Sequence, residues 1–167
     1  EYVYDLDLAD NVFMCAGGVF VHNTTQALGL VKGEAPFVRA LDPKTGEAYE
    51  ETYGEHLGAV RAKQGGRVLD VTPDGLTVKY ADGSKAVVPL YNNFVLNRKS
   101  GLHNTPLVQA GDIFKPGQML AKSNFTDDKG AAALGLNVRV GYLADKGHNF
   151  EDAIRISESL AKRMTSE

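Results

Sequence analysis

Three closely spaced turn signals between residues 64 and 84 constrain the fold of this 167-residue chain more than any other feature. They fall at residues 64–66, 72–75 and 81–84, and each contains glycine beside a polar residue. The runs between them alternate apolar and polar residues, which is the pattern of strands that bury one face. Strands joined by such short turns pair antiparallel. The stretch therefore predicts an antiparallel β-meander, with strands at residues 58–63, 67–71, 76–80 and 85–90.

Short apolar runs on either side of the meander also predict strands. Residues from Tyr4 onward alternate as a half-buried strand, and residues 12–16 and 19–21 predict two more around a glycine bend. Residues 137–143 and 153–156 alternate in the same way. Ser157 suits the N-cap of a short helix at residues 159–164. The predicted fold class is mainly β, with one short C-terminal helix.

Residues 24–55 carry a weaker pattern. Ala35 precedes a proline and is therefore expected to be extended, and the apolar runs around it favour strand or loop over helix. Residues 47–55 contain four acids and two tyrosines, which indicates an exposed surface loop.

Two glycine-centred turns, at Gly111 and Gly117, lie within residues 107–121. Their spacing is typical of a barrel-sandwich hybrid, the architecture of lipoyl and biotinyl carrier domains. A carrier needs a modifiable lysine at a tight hairpin tip, but Lys115 is followed by proline and Lys122 lies outside the repeat. A carrier function is therefore a distant alternative.

Charge and composition exclude several classes of function. The formal net charge of −3 provides no overall basic field of the kind that free-standing nucleic-acid-binding domains carry. A single cysteine, Cys15, excludes an internal disulfide framework and suits a reducing compartment. No apolar run reaches the roughly 20 residues of a membrane-spanning helix. We expect a cytoplasmic chain that does not associate with a membrane. The chain starts in mid-strand without methionine, which suggests that it is a piece of a longer protein.

The adjacent carboxylates of Glu151 and Asp152 are the first candidate for chemistry. They follow a turn and precede a short apolar run. Adjacent acids repel each other, so a pair beside Phe150 suggests a shared cation or a polyphosphate that carries one. The alternative is a solvated helix N-terminus, where the macrodipole favours acids. A second candidate is the compact basic loop at Arg98 and Lys99, which is either a surface turn or a contact to backbone phosphates.

The triplet His22, Asn23 and Thr24 suggests peptide-bond chemistry. An asparagine amide can attack its own carbonyl carbon and cleave the following peptide bond, and a preceding histidine can polarise that carbonyl or protonate the leaving amine. A hydroxyl on the next residue can act as nucleophile and accept an acyl group. The same triplet also occurs in ordinary loops.

Residues 2–24 as a whole resemble the C-terminal end of an intein, with matches at residues 4–6, Phe13 and 18–23. The resemblance implies that Asn23 cyclises, His22 assists and Thr24 is the first extein residue. A histidine that many inteins carry shortly before the phenylalanine is absent. The N-terminal nucleophile is missing as well, so we expect residues 1–23 to be an inert intein remnant.

From residue 24 onward the chain resembles the β subunit of multisubunit DNA-directed RNA polymerase. The resemblance rests on residues 133–140, 147–154 and 156–158, with collinear matches that reach back to Gln26. The chain departs from the bacterial pattern in a shortened loop at residues 97–105 and at residues 142–146. The family implies a meander within residues 24–104 and, at 105–167, the start of a hybrid-binding domain with part of a double-psi β-barrel.

The same resemblance implies DNA-templated RNA synthesis, a nucleotidyl transfer assisted by two Mg²⁺ ions. Glu151 and Asp152 correspond to acids that help hold the second, nucleotide-borne Mg²⁺, largely through water. Gln26 corresponds to a glutamine near the RNA 3′ end, and Arg98 and Lys99 are candidate nucleic-acid contacts. The implied partners are the β′ subunit, which carries the tightly held metal, the α subunits, the remainder of β, DNA, RNA and nucleoside triphosphates. In the cytoplasm such a chain is nucleoid-associated, and alone it is expected to be inactive.

A different hypothesis makes the chain half of a split intein, a splicing module whose extein is incidental. A matching N-terminal half would then restore ligation, and this separates the splicing module from a polymerase segment.

Overall fold

The computed structural model describes the backbone of residues 12–15 and 19–22, and all of residues 29–96 and 100–165. These parts contain eleven strands and two helices. The strands are β1 (Val12–Cys15), β2 (Val19–His22), β3 (Val60–Arg61), β4 (Gly66–Thr72), β5 (Gly75–Tyr80), β6 (Lys85–Pro89), β7 (Phe94–Val95), β8 (Gly101–Leu102), β9 (Asn104–Pro106), β10 (Ile113–Phe114) and β11 (Met119–Ser123). The helices are α1 (Tyr49–His56) and α2 (Glu158–Arg163).

Three of the four strands predicted for the meander are confirmed in the largest sheet of the described residues. Its strand order is β10-β4-β5-β6, and every pairing is antiparallel. Val68 of β4 lies opposite Val78 of β5, and a register shift after Val68 marks a β-bulge. The predicted turn at residues 81–84 is closed by Asp82, whose Oδ1 accepts hydrogen bonds from the backbone and hydroxyl of Ser84. The sheets confirm the mainly β fold class; the barrel remains a prediction.

The first predicted strand of the meander belongs to a different sheet. Residues 58–63 contribute only β3, which pairs with β11 in a three-stranded sheet of order β3-β11-β9. Its place beside β4 is taken by β10, with Ile113 opposite Arg67. Alternation specifies which side chains are buried, but it does not specify the partner strand.

The core lies between these two sheets, and its largest buried side chain is that of Phe114. This ring packs edge-on against Tyr80, with the ring centroids 6.4 Å apart. Gly66 makes room for it, because a Cβ there would lie 2.8 Å from Phe114 Cζ and 2.5 Å from the Lys79 carbonyl oxygen. The other buried members of this core are Ala62, Val68, Leu76, Val78, Leu90, Val108, Leu120 and Ala121.

The loop predicted at residues 47–55 is wrong, because most of it forms α1. Glu50 and Glu51 lie in the first turn of this helix, where the macrodipole favours acids. Tyr49 and Tyr53 stack one turn apart, with centroids 6.4 Å apart. Gly54 is buried so closely against the turn at Gly130 that an added Cβ would lie 1.8 Å from the Gly130 carbonyl oxygen. The polar composition therefore marks a surface helix.

The strands predicted at residues 137–143 and 153–156 are also wrong for this chain. Both segments lie outside any strand of the structure, and their apolar side chains include Tyr142, 96% exposed, and Ile154, 84% exposed. A strand needs a neighbouring edge to pair with, and neither segment pairs with any of the described strands.

The short C-terminal helix is confirmed, one residue earlier than predicted. Ser157 caps α2, and its Oγ accepts a hydrogen bond of 3.1 Å from the Leu160 amide. The two strands predicted on either side of residues 17–18 are likewise confirmed as β1 and β2, which pair antiparallel, and the predicted bend itself lies outside the described residues. The strand predicted from Tyr4 lies outside the described residues. No helix in the described ranges is long and apolar enough to cross a membrane.

Two neighbouring residues of β10 test this account of the core. Phe114→Ala should lower the free energy of unfolding by about 3–5 kcal/mol, because it removes a buried ring and leaves a cavity. Phe114 is 1% exposed, whereas Ile113 is 70% exposed, so Ile113→Ala should change stability by about 0.5 kcal/mol or less. Urea unfolding followed by circular dichroism measures both values. Equal losses in the two variants would contradict the assignment of the core.

Candidate functional site

The acidic pair lies on a loop, residues 145–155, that is closed at its base; we call this segment the acidic loop. The guanidinium of Arg155 donates a hydrogen bond to Asp145 Oδ2 across the base. Asn149 holds the N-terminal side of the loop. Its Oδ1 accepts a hydrogen bond from the Asp145 amide at 2.8 Å, and its Nδ2 donates one to the Leu143 carbonyl at 2.6 Å. The loop is therefore held by polar bonds within itself.

Glu151 and Asp152 are both exposed to solvent at the far end of the acidic loop. Glu151 has a φ of 59°, in the left-handed region that a residue with a Cβ seldom adopts. The turn is closed by a hydrogen bond of 3.3 Å from the Ala153 amide to the Phe150 carbonyl. Backbone strain of this kind clusters at functional sites, so the outlier supports a role for this turn.

The donor set of the acidic pair fits a shared Mg²⁺ ion. Mg²⁺ prefers oxygen ligands, keeps several waters and is usually bound through one or two carboxylates together with substrate phosphates. Glu151 and Asp152 provide two such carboxylates in an accessible position. Within the described ranges, no group of three or more His, Cys, Asp or Glu side chains is placed to hold a metal. The site therefore fits an ion that other groups also bind, and does not fit an ion held by these residues alone.

Apolar side chains flank the acidic pair and remain uncovered. Phe150 is 74% exposed, and Ile154 and Tyr142 are exposed still more fully. Exposed apolar groups of this size beside polar ones are typical of surfaces that contact another protein segment. The surroundings of the pair therefore match a site completed by other protein.

Beyond the acidic loop, its two flanks are tied to the segment around Glu34. Asn137 precedes the loop and Arg163 follows it, and both donate hydrogen bonds to the Glu34 carboxylate. These partners hold the pKa of Glu34 below its usual value, mainly through the backbone and side-chain hydrogen bonds of Asn137 and then through the positive charge of Arg163. The ionised carboxylate thus stabilises the fold above the usual glutamate range, and the contribution is lost as the pH falls through the lowered pKa.

Five of the other predicted site residues lie outside the described residues: Asn23, Thr24, Gln26, Arg98 and Lys99. His22 ends β2, and the structure describes its backbone alone.

Neither Lys115 nor Lys122 lies at the tip of a hairpin. Lys115 lies between β10 and β11, which belong to different sheets, and Lys122 lies within β11, where its ammonium pairs with Asp128 at 2.6 Å. The sequence interpretation missed Glu34 and Asn137. Their partners lie more than a hundred residues away, and no local pattern signals such a contact.

No protein-family model matches the chain. Similar curated proteins are β subunits of DNA-directed RNA polymerase. That of Thermus thermophilus is 36% identical over 139 residues, which are 83% of this chain and 12% of the relative. That of Pseudothermotoga lettingae is 36% identical over 152 residues, covering 84% of this chain and 12% of the relative. That of Chlamydia felis is 36% identical over 150 residues, covering 83% and 11%. The chain thus spans only a small part of the length of these curated relatives.

The ion pair at the base of the acidic loop generates a prediction. Arg155→Met should speed amide exchange at His148 and Ala153 by up to about fivefold, because a partly exposed ion pair contributes about 1 kcal/mol at most. Hydrogen exchange followed by NMR measures the rates. Lys162→Met is the matched control, since it breaks the exposed Glu158–Lys162 pair of α2 instead. Unchanged exchange in Arg155→Met would mean that the ion pair does not close the loop.

Proposed function

The chain is homologous to a segment of the β subunit of bacterial DNA-directed RNA polymerase, and we propose that it serves as this segment in a polymerase that synthesises RNA on a DNA template. The observation that carries the proposal is the match at 36% identity over 83% of the chain. Because the chain corresponds to 12% of such a subunit, the reaction would require the remainder of β together with the β′ and α subunits. Alone it would not polymerise nucleotides.

The acidic pair would act on the incoming nucleoside triphosphate. In this reaction the RNA 3′-hydroxyl attacks the α-phosphate and pyrophosphate leaves. When bound, Mg²⁺ would neutralise phosphate charge and stabilise the leaving oxygen. The carboxylates of Glu151 and Asp152 would accept hydrogen bonds from the water molecules around this ion and so orient the nucleotide that carries it. Their exposure and their turn at a positive φ support this role.

Other residues join the proposal through their place in the resemblance. Gln26 would line the pocket around the RNA 3′ end, and Arg98 and Lys99 would contact the phosphate backbone of DNA or RNA. The principal metal ligands would lie on β′, in keeping with the resemblance. The assembled enzyme would work in the cytoplasm, at the nucleoid.

The acidic pair can be tested in a polymerase reassembled with β′, α and the remainder of β. The double variant Glu151→Gln, Asp152→Asn keeps the side-chain shapes and removes both charges. We expect nucleotide addition to need about 10- to 100-fold more Mg²⁺, the range for groups that act on a metal through an intermediate ligand. Quench-flow kinetics across a Mg²⁺ titration measures the change.

Glu158→Gln is the control for this experiment. It removes one nearby exposed acid, on α2, and should leave the Mg²⁺ requirement unchanged. An unchanged requirement in the double variant would refute the role assigned to the pair.

We further propose that residues 1–23 are the end of an intein, as the order of residues in this segment suggests. Together with a matching N-terminal intein half, the chain should be cleaved after Asn23 and ligated.

Asn23→Ala should abolish that cleavage, since the attacking amide is lost, whereas Thr25→Ala should leave it intact. Intact-protein mass spectrometry measures both products. A chain that stays uncleaved with every N-terminal half supplied would rule out the splicing role.

A further inference from the structure

One carboxylate, that of Glu34, receives both flanks of the segment that carries the acidic loop. Residues 138–157 contain no helix or strand and connect Asn137 to α2. Glu34 lies 103 residues before Asn137 and 129 residues before Arg163. Its two oxygens are divided between these flanks, Oε2 toward Asn137 and Oε1 toward Arg163.

The flank before the loop is held by a group of hydrogen bonds centred on Asn137. Its backbone amide donates to Glu34 Oε2 at 3.0 Å, and its Nδ2 donates to the same oxygen at 3.2 Å. Nδ2 also donates to the Ala35 carbonyl at 2.9 Å, and Oδ1 accepts from the Phe37 amide at 3.1 Å. The Glu34 amide donates to the Gly135 carbonyl at 2.8 Å. Backbone and side chains therefore fix this flank together.

The flank after the loop is held at α2. The guanidinium of Arg163 donates to Glu34 Oε1. The Val31 amide donates to the Thr165 carbonyl at 3.1 Å, which places the end of α2 against the same N-terminal segment. Both ends of residues 138–157 are thus tied to residues 31–35.

We propose that Glu34 is a positioning residue, whose carboxylate holds together both ends of the segment that carries Glu151 and Asp152 and so sets where the acidic pair lies. Tying the two ends of a long segment removes much of its conformational freedom. The proposal rests on the function proposed for the pair, because positioning has a consequence only where the pair acts on the nucleotide-borne ion.

An ordinary surface ion pair would not perform this task. Exposed pairs such as Glu158–Lys162 of α2 link residues one turn apart and contribute little to the stability of the fold. Glu34 instead joins three segments that are distant in sequence, and it does so through both oxygens, with backbone bonds on each side. The lowered pKa of its carboxyl agrees with an anion that is bound from two directions.

The test uses the reassembled polymerase with variants of this chain. Glu34→Ala should raise the Mg²⁺ concentration for half-maximal nucleotide addition by about fivefold, less than the roughly 10- to 100-fold expected of groups that touch the metal's own ligands. Saturating Mg²⁺ should restore the rate. Lys162→Met is the control, because Lys162 lies on α2 beside Arg163. It should change neither the Mg²⁺ concentration for half-maximal addition nor the rate at saturating Mg²⁺.

Two variants that each release only one flank show which flank carries the effect. They also keep the proposal testable if the polymerase with Glu34→Ala fails to assemble. Asn137→Ala releases the flank before the loop, and Arg163→Met releases the flank after it; each should give part of the shift. Hydrogen exchange at residues 147–153, which is independent of activity, should rise in every variant that releases a flank.

Combination with the acidic-pair variant separates positioning from general weakening of the fold. If Glu34 acts through the pair, Glu34→Ala should add nothing to the Mg²⁺ shift of Glu151→Gln, Asp152→Asn. Additive shifts, or faster exchange with an unchanged Mg²⁺ requirement, would overturn the positioning role and leave the proposed function standing. A double variant without any shift of its own would overturn the proposed function itself.

Discussion

Burial of Phe114 between the two larger sheets is the interaction on which the described fold depends. Its ring fills the space that Gly66 leaves open and meets Tyr80 edge-on, which fixes β10 against the edge of the meander. The next strand, β11, then turns into the second sheet and pairs with β3 and β9. A single apolar core, formed by strands that are far apart in sequence, therefore joins the two larger sheets.

The acidic loop depends on different forces from the core. Its base is held by Asp145, Asn149 and Arg155, and its flanks by Glu34, all through hydrogen bonds and ion pairs at or near the surface. Such bonds are weaker than apolar burial and are screened by salt. They specify direction well, however, because a hydrogen bond weakens steeply when its donor and acceptor are misaligned. The loop thus combines a defined conformation with the low local stability that is common in ligand-binding segments.

The sequence predicted the elements whose signals are local. Turn residues at 72–75 and 81–84 marked the meander, and Ser157 marked the start of α2 within one residue. The prediction failed where the deciding contact is distant. Nothing near Val60 indicates that β3 pairs with β11, and the many acids of α1 concealed the helix that Gly54 packs onto Gly130. For the candidate site, the adjacent acids Glu151 and Asp152 are visible in the sequence and their role stays a prediction, whereas Glu34 and Asn137 carry no local signal at all.

The two strand predictions that failed, at residues 137–143 and 153–156, lie on either side of the acidic pair. Alternation is a pattern of burial on one face, yet in this chain the apolar residues Tyr142 and Ile154 are exposed. Apolar residues that no described residue covers are typical of a surface that packs against another protein segment. Under the proposed role the same holds for the pair itself, because two carboxylates alone do not complete the coordination of an Mg²⁺ ion. Exposed apolar side chains and the acidic pair therefore occur on the same segment, which is the arrangement that the proposed role requires of a site completed by a neighbouring chain.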